Sequence, residues 1–319
     1  MSEEPEASAP QALQKWLGIV GVFIAHATVI STLCYFFGYL STKKYFDHFG
    51  IDSDAIGFTT SDYVIRSVRA LYLPIVVLLF AWVALLWAGE YIRRVVKAGR
   101  RTRLIGAVAW IVIAVGALCM VRAIVGMTYP KLALDNTAEL TPTALGLGSA
   151  LLVVGFWLLR ATRTRLTPHP FATAERAGLV VAAAAILLAI FWLTDIYAGF
   201  RGEDDAKTNA SQLWWRETSV VLDTKERLAA PSNLIKETIL APEDRGKKPT
   251  LFREECFRTL EVHGDRWVLV PAKWTDQNGY AVIIRADSSN RISFTKLLGI
   301  AKTPAANWVG RWQCPEVAP

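Results

Sequence analysis

Three ionisable side chains, His26, Arg122 and Asp195, stand inside long apolar runs of this 319-residue chain. If such runs lie in hydrocarbon, a polar group there is costly, and each becomes a pointer to a site. Arg122 and Asp195 each lie 18 residues beyond the start of their runs, at Leu104 and Ala177. A helical rise of 1.5 Å per residue puts both about 27 Å in, at one depth. Opposite charges at one depth predict a structural ion pair, with a functional gate as the sharper alternative. His26 has no carboxylate at its depth in the other runs. Its ordinary reading is a hydrogen-bonded packing histidine, and its sharper one a proton relay or ligand contact.

Two further patterns carry chemistry. Of four cysteines, Cys34 and Cys119 fall in apolar runs, while Cys256 and Cys314 fall in the polar C-terminal third. An oxidising compartment would join the latter two in a disulfide; two unrelated thiols are the alternative. Gly18, Gly21, Ala25, Thr28, Thr32 and Tyr35 recur at spacings of three and four, a stripe that lets helices approach closely in lipid. Its ordinary partner is the similar stripe Gly178, Ala182, Ala185 and Ala189; a homo-oligomer seam or pore lining is the alternative.

Other chemistries find no support. From Asp52 the chain imitates a calcium loop through Asp54 and Gly57, but Ile56 and Tyr63 occupy two positions that should supply ligands. No zinc-spaced cysteines, Walker sequence or dinucleotide fingerprint appears, so neither metal nor cofactor is expected. Glu254 and Glu255 are adjacent, so a strand would point them to opposite faces, and His263 falls in a turn. No catalytic group set assembles, and no enzyme activity is expected.

The elements that must hold these residues follow from hydropathy. The chain is 53% hydrophobic and 20% charged with mean hydropathy +0.30, more apolar than an average soluble domain. Five segments can cross a bilayer as helices: 17–40, 70–88, 104–127, 143–159 and 177–200, the fourth short and glycine-rich. Pro74 would kink the second. Arg93, Arg94, Lys97, Arg100, Arg101 and Arg103 follow the second span, and Arg160, Arg163, Arg165 and Arg176 follow the fourth. The excess of positive charge assigns both loops to the cytoplasm. Five spans then leave the N-terminal tail, 1–16, inside and everything after Phe200 outside. Lys43, Lys44, Arg66 and Arg69 disagree, because they fall in a loop this topology puts outside. The net charge of +7 sits beside the spans, which points to anionic lipid as a partner and away from nucleic acid.

After Phe200 the composition turns polar, giving an expected linker at 201–213 and an extracytoplasmic domain at 214–319. Apolar runs at 219–222, 256–261, 267–270, 281–285 and 291–294 read as strands. Turn residues at 263–265 and 287–290 suggest two hairpins. The fold class expected is therefore a polytopic helical membrane protein with a small, mostly antiparallel β domain. The loop 41–69 reads as a segment on the membrane surface, with Tyr45, Phe46, Phe49, Ile51, Ile56 and Phe58 as apolar contacts and aspartates such as Asp52 facing water. Thr60 or Ser61 would cap the next helix, with Asp62 favourable in its first turn.

The run Tyr45-Phe46-x-x-Phe49-Gly50-Ile51-Asp52, followed by Gly57-Phe58-Thr59 and Asp62-Tyr63-x-x-Arg66-Ser67, resembles a pattern in uncharacterised multi-pass membrane proteins of high-GC Gram-positive bacteria. The segments 220–228 and 260–274 are similar to their C-terminal part. The resemblance implies architecture and no activity. The function expected is a plasma-membrane protein that anchors an extracytoplasmic module binding or sensing an unknown partner. A channel or transporter subunit using the first helix is the alternative.

Overall fold

The computed structural model describes residues 9–97, 102–129, 139–162, 172–240, 251–287, 290–295 and 314. Six helices precede six strands. They are α1 (Ala9–His48), α2 (Ser53–Ile56), α3 (Thr60–Lys97), α4 (Thr102–Thr128), α5 (Leu140–Thr162) and α6 (Ala172–Arg216), then β1 (Ser219–Thr224), β2 (Lys236–Leu240), β3 (Leu251–His263), β4 (Arg266–Pro271), β5 (Val282–Arg285) and β6 (Asn290–Thr295). All the helices but α2 are long and apolar enough to cross a membrane. The chain divides into two units, one of residues 69–198 and one of residues 1–68 with 199–319.

In the unit of residues 69–198, α4 and α5 run antiparallel along a seam of small residues. A Cβ on Gly148 would lie 3.0 Å from the Gly116 carbonyl oxygen, and one on Gly155 would lie 3.3 Å from that of Ala109. A side chain at either position would have to push its neighbours aside, and close backbone contact holds the pair where lipid offers no hydrophobic driving force. Ala123, Leu145 and Ala189 join α6 to the same seam. Most other large side chains here, such as Phe80, Trp82 and Leu118, are exposed, as a lipid-facing surface requires. The glycines that make the fourth segment weakly hydrophobic are the ones that pack it. α3 runs on through Pro74.

In the other unit, every strand pairing is antiparallel, in the order β5-β4-β3-β1-β6, with β2 also on β3. Strands alternate between two buried faces. On β4, Trp267 and Leu269 belong to a core with Val220, Leu222, Phe257 and Ile284, while Val268 and Val270 belong to a second core on the other face. Burial on both faces is why these strands read as continuous apolar runs. The first expected hairpin forms, with His263 opposite Arg266. The second does not: β5 pairs with β4 and β6 with β1, the two ends of the sheet. Four residues join those ends, and Trp267 on β4 stacks 5.4 Å from Phe294 on β6. So short a connection requires the sheet to coil on itself.

Residues 201–213 are not a linker, because α6 continues through them. Their charges pair one turn apart, Arg201 with Asp205 at 2.9 Å and Lys207 with Glu203 at 2.6 Å, an arrangement that supports an exposed helix face. Their few apolar residues, Ala206, Ala210 and Leu213, pack on the second sheet core.

Candidate functional site

The loop expected on the membrane surface is instead part of the sheet's core. Phe46, Phe49, Ile51 and Ile56 are buried against Leu260, Val268, Val270 and Trp274, with Ala206 and Leu213 of α6. The reason lies in backbone geometry. α1 continues to His48 and closes with bonds from the amides of Phe49 and Ile51 to the Phe46 carbonyl; Gly50, at φ +71°, makes the reversal. Phe46, Phe49 and Ile51 are thereby gathered on one side, where the sheet covers them.

Polar residues of the same motif fix the loop in place. Asp52 caps α2, its carboxylate accepting from the Asp54 amide at 3.1 Å, and Gly57 ends α2 at φ +84°. Arg266 donates to the carbonyl of Ala55, and a Cβ on Gly57 would press 2.9 Å from that guanidinium. Thr59, one residue earlier than expected, caps α3: its amide donates to the Asp62 carboxylate at 2.7 Å and its hydroxyl at 2.6 Å. Arg66 lies 4.4 Å over the Phe58 ring and donates to Glu261 at 2.6 Å. His263 stacks 5.2 Å from Phe58 and its Nε2 is 3.7 Å from Asp62. The Tyr45 hydroxyl accepts from Asn209 of α6 at 2.6 Å. Phe58 and Asp62 thus serve a structural lock, and Asp52 is a helix cap. Among the described residues, no three His, Cys, Asp or Glu side chains gather as a metal site.

Beside this lock lies an open cleft of about 410 Å³. One wall is Asp47 to Asp52, which follows the first span directly. The other is the loop after β4, with Trp274, Asp276 and Gly279. Three carboxylates, of Asp47, Asp52 and Asp276, line it, and His48 is the one basic lining residue, its Nε2 3.6 Å from Asp276. Trp274 stacks 4.9 Å from Phe49 and 5.1 Å from His48. It was missed in sequence because only the fold sets it beside residues more than 200 positions away.

The other candidates separate. Arg122 and Asp195 form no ion pair with each other. Equal depth does not imply equal azimuth: α4 is packed on α5, and a Cβ on Gly126, one turn beyond Arg122, would lie 2.7 Å from that guanidinium. The side chain therefore extends toward the helix end, as long cationic side chains do near a span's edge. In the first span, His26, Ala25, Thr28 and Thr32 are exposed, and each threonine hydroxyl donates to the carbonyl four residues earlier. Tyr35 packs edge-on to Tyr63 at 5.6 Å. The side-chain surroundings of Gly18 and Gly21 lie outside the described residues. The fifth-span residues Ala185 and Ala189 pack with α4 and α5 residues. Cys256 and Cys314 form a disulfide with Cα atoms 5.6 Å apart, and both are buried. Cys256 sits in a bulge of β3 at φ +80°, where the register against β1 shifts. The bulge breaks the strand's alternation there and re-aims the side chain.

A pair of carboxylates also escaped the sequence. Glu254 and Glu255 do diverge, Glu255 reaching Lys236 at 3.4 Å, but Glu254 faces Glu237 directly across on β2. Glu254 is fully buried and neither of its oxygens has a hydrogen-bond partner by geometry. Burial, reinforced by the Glu237 charge, pushes its carboxyl up to about 7. Glu237 itself accepts from Arg227 at 2.9 Å. On the same strand, burial lowers the Arg258 guanidinium to about 10 while it donates to Ser219 at 3.0 Å. Neither arrangement places a nucleophile beside a base. Compared with protein-family models, curated proteins and solved structures, the chain matches none of them.

Proposed function

We propose that this protein is a plasma-membrane anchor for an extracytoplasmic binding or sensing module and is not an enzyme. The observation that carries the reading is the cleft: one of its walls is the segment that leaves the first membrane-spanning helix, so an occupant would bear directly on that helix. The N-terminus lies in the cytoplasm and the sheet outside. One argument supports this orientation, and a second supports the number of spans it needs. The dense basic loops follow the second and fourth spans. With five spans, the first loop and the C-terminal strands must share a side, and they do share a core. The charges that disagreed with this orientation are partly accounted for: Arg66 is matched by Glu261, and the Lys43 ammonium lies 6.0 Å over Tyr39. A disulfide between Cys256 and Cys314 suits the outer compartment. Anionic lipid contacts the basic cytoplasmic loops. A second reading, a homo-oligomeric channel subunit, draws on the exposed Ala25, Thr28 and Thr32 face beside His26.

Single cysteines replacing Arg93 and Thr275, in a background without Cys34 and Cys119, test the orientation with an impermeant thiol reagent on intact cells. Thr275→Cys should label and Arg93→Cys should not; the reverse pattern overturns the reading. Liposomes holding the purified protein should pass no ionic current. Conductance that Thr28→Leu abolishes would replace the anchor with the channel.

A further inference from the structure

We propose that the end where α4 finishes and α5 begins holds the phosphate of an anionic phospholipid, clasped by the Arg122 guanidinium and the Thr141 hydroxyl. The inference is independent of the cleft, because both residues belong to the unit of residues 69–198. A Cβ on Gly126 would stand 2.5 Å from the Thr141 hydroxyl oxygen and 2.7 Å from an Arg122 guanidinium nitrogen. Donors from two helices thus converge on one point. No hydrogen bond joins them, and neither side chain has an acceptor elsewhere among the described residues. Thr141 is only 5% exposed, yet its hydroxyl oxygen is not among the polar atoms sealed from the surface, so a ligand can reach it. Thr141 also lies in the first turn of α5, where the helix dipole favours negative charge. Arg122 brings a planar fork of N–H donors that matches phosphate, whose oxygens accept. Glu139, at the same end, is exposed and forms no ion pair with Arg122.

The independent observation is the surface beneath the charge, and it selects a lipid over a soluble phosphate. From Arg122 toward the middle of α4, Leu118, Val115 and Ile111 follow at spacings of four, three and four, which sets all four side chains on one face. The three apolar ones are 70%, 45% and 63% exposed. A cation therefore heads an exposed apolar track, as a headgroup contact stands above an acyl chain. α4 runs on past Arg122 to Thr128, about 9 Å, so a side chain reaching toward the helix end carries its charge to headgroup depth. This end lies opposite the basic loops that precede α4 and follow α5, so the site and those loops serve different leaflets.

The test holds the full chain in detergent micelles with equimolar phosphatidylglycerol whose acyl chain carries a diazirine, and maps the photolabel by peptide mass spectrometry. Label should fall on residues 111–118. Excess unlabelled phosphatidylglycerol should remove it, whereas the same excess of phosphatidylcholine or of inorganic phosphate should not. Arg122→Gln should reduce that label about tenfold and Thr141→Val about threefold, as loss of a charged and of a neutral donor predicts. Thr141→Ser, which keeps the hydroxyl, and Lys225→Gln, in the sheet unit, should label as the wild type does. The melting temperature without lipid shows whether each variant is folded; should Arg122→Gln fail to fold, Thr141→Val against Thr141→Ser decides. Wild type without label at 111–118, or label there that Arg122→Gln and Thr141→Val leave unchanged, overturns the site. Inorganic phosphate competing as well as phosphatidylglycerol overturns the lipid as occupant, and phosphatidylcholine doing so overturns the preference for negative charge.

Discussion

The two units are held together by different physics. Between α4 and α5 the contact is small residue on small residue, with Gly116, Gly148 and Gly155 bringing backbones together. Most large apolar side chains there face outward, Leu145 and Leu158 being buried exceptions. In the sheet unit the order is inverted: Phe46, Phe257, Trp274 and Ile284 are inside, and ion pairs, caps and a disulfide fasten the periphery. A solvent that is itself apolar gives helices no reason to bury large side chains, so shape does the work. Water supplies that reason, and polar residues are then left to fix register. A perturbation that matters in one unit should therefore leave the other largely unmoved.

The largest expected effect breaks the sheet unit alone. The Cys256–Cys314 disulfide spans 58 residues, for which chain entropy gives about 4 kcal/mol. Cys314→Ser, or reduction, should lower the sheet's melting temperature and its hydrogen-exchange protection while the signal of α4 and α5 persists. Recovery of both cysteines as free thiols, from protein kept oxidised, would remove the constraint.

Next come two glycines where the sheet unit borrows the other unit's device. A Cβ on Gly38 would fall on the Tyr63 carbonyl, joining α1 to α3, and one on Gly202 would fall on that of Ser41, joining α6 to α1. Backbone cannot move aside cheaply, so Gly38→Ala and Gly202→Ala should each cost about 3 kcal/mol or more. At Gly148 the same Cβ meets atoms no nearer than 3.0 Å, and Gly148→Ala should cost about 1 kcal/mol. Thermal unfolding in one detergent ranks the three, and equal losses would erase the distinction.

Which features could be read from sequence follows the same division. Spans need only length and composition, and strands such as 219–222 and 267–270 are short apolar runs between turn residues, so both were legible. The cysteine pair followed from elimination. What failed was everything that depends on a partner far along the chain. Residues 201–213 carry mostly polar side chains, and only their contact with the sheet distinguishes a helix from a linker. Phe46 and Phe49 read equally well as lipid contacts or as a core, and the sheet that decides between them begins about 170 residues later. Strand pairing at 287–290 was misjudged because turn residues identify a reversal without naming which strands lie beside it. The cleft was illegible for the same reason, since Asp47 and Asp276 carry no local mark of belonging together.

Acidity offers a smaller effect, again confined to the sheet. Glu254 ionises only at about 7 in the folded chain, against 4.5 for an unperturbed glutamate. Between these values the native state holds a proton that the unfolded state has released. The contribution of Glu254 to stability is therefore greatest below about 4.5, falls as pH rises toward 7, and levels off above. A shift of this size is worth on the order of 3 kcal/mol. Glu254→Gln should flatten that slope and be the more stable form at pH 8. Glu217, whose carboxyl burial also raises, contributes in the same sense, so the difference between wild type and variant is the measurement. A slope identical in both would return the effect to Glu217.

The smallest effects come from two double-mutant cycles, one in each unit, and they test the division most directly. Arg66 and Glu261 are in contact at 2.6 Å, about a quarter to a third exposed, with Phe58 beneath the guanidinium. Solvent screening holds such a pair to about 1 kcal/mol, and the coupling between Arg66→Ala and Glu261→Ala should fall there. Arg122 and Asp195 share a depth but no ion pair, so their alanine variants should be additive within about 0.5 kcal/mol. Coupling at Arg122 and Asp195 as large as at Arg66 and Glu261 would mean that the apolar unit also uses charge to fix its helices. Small-residue packing would then be insufficient to account for it.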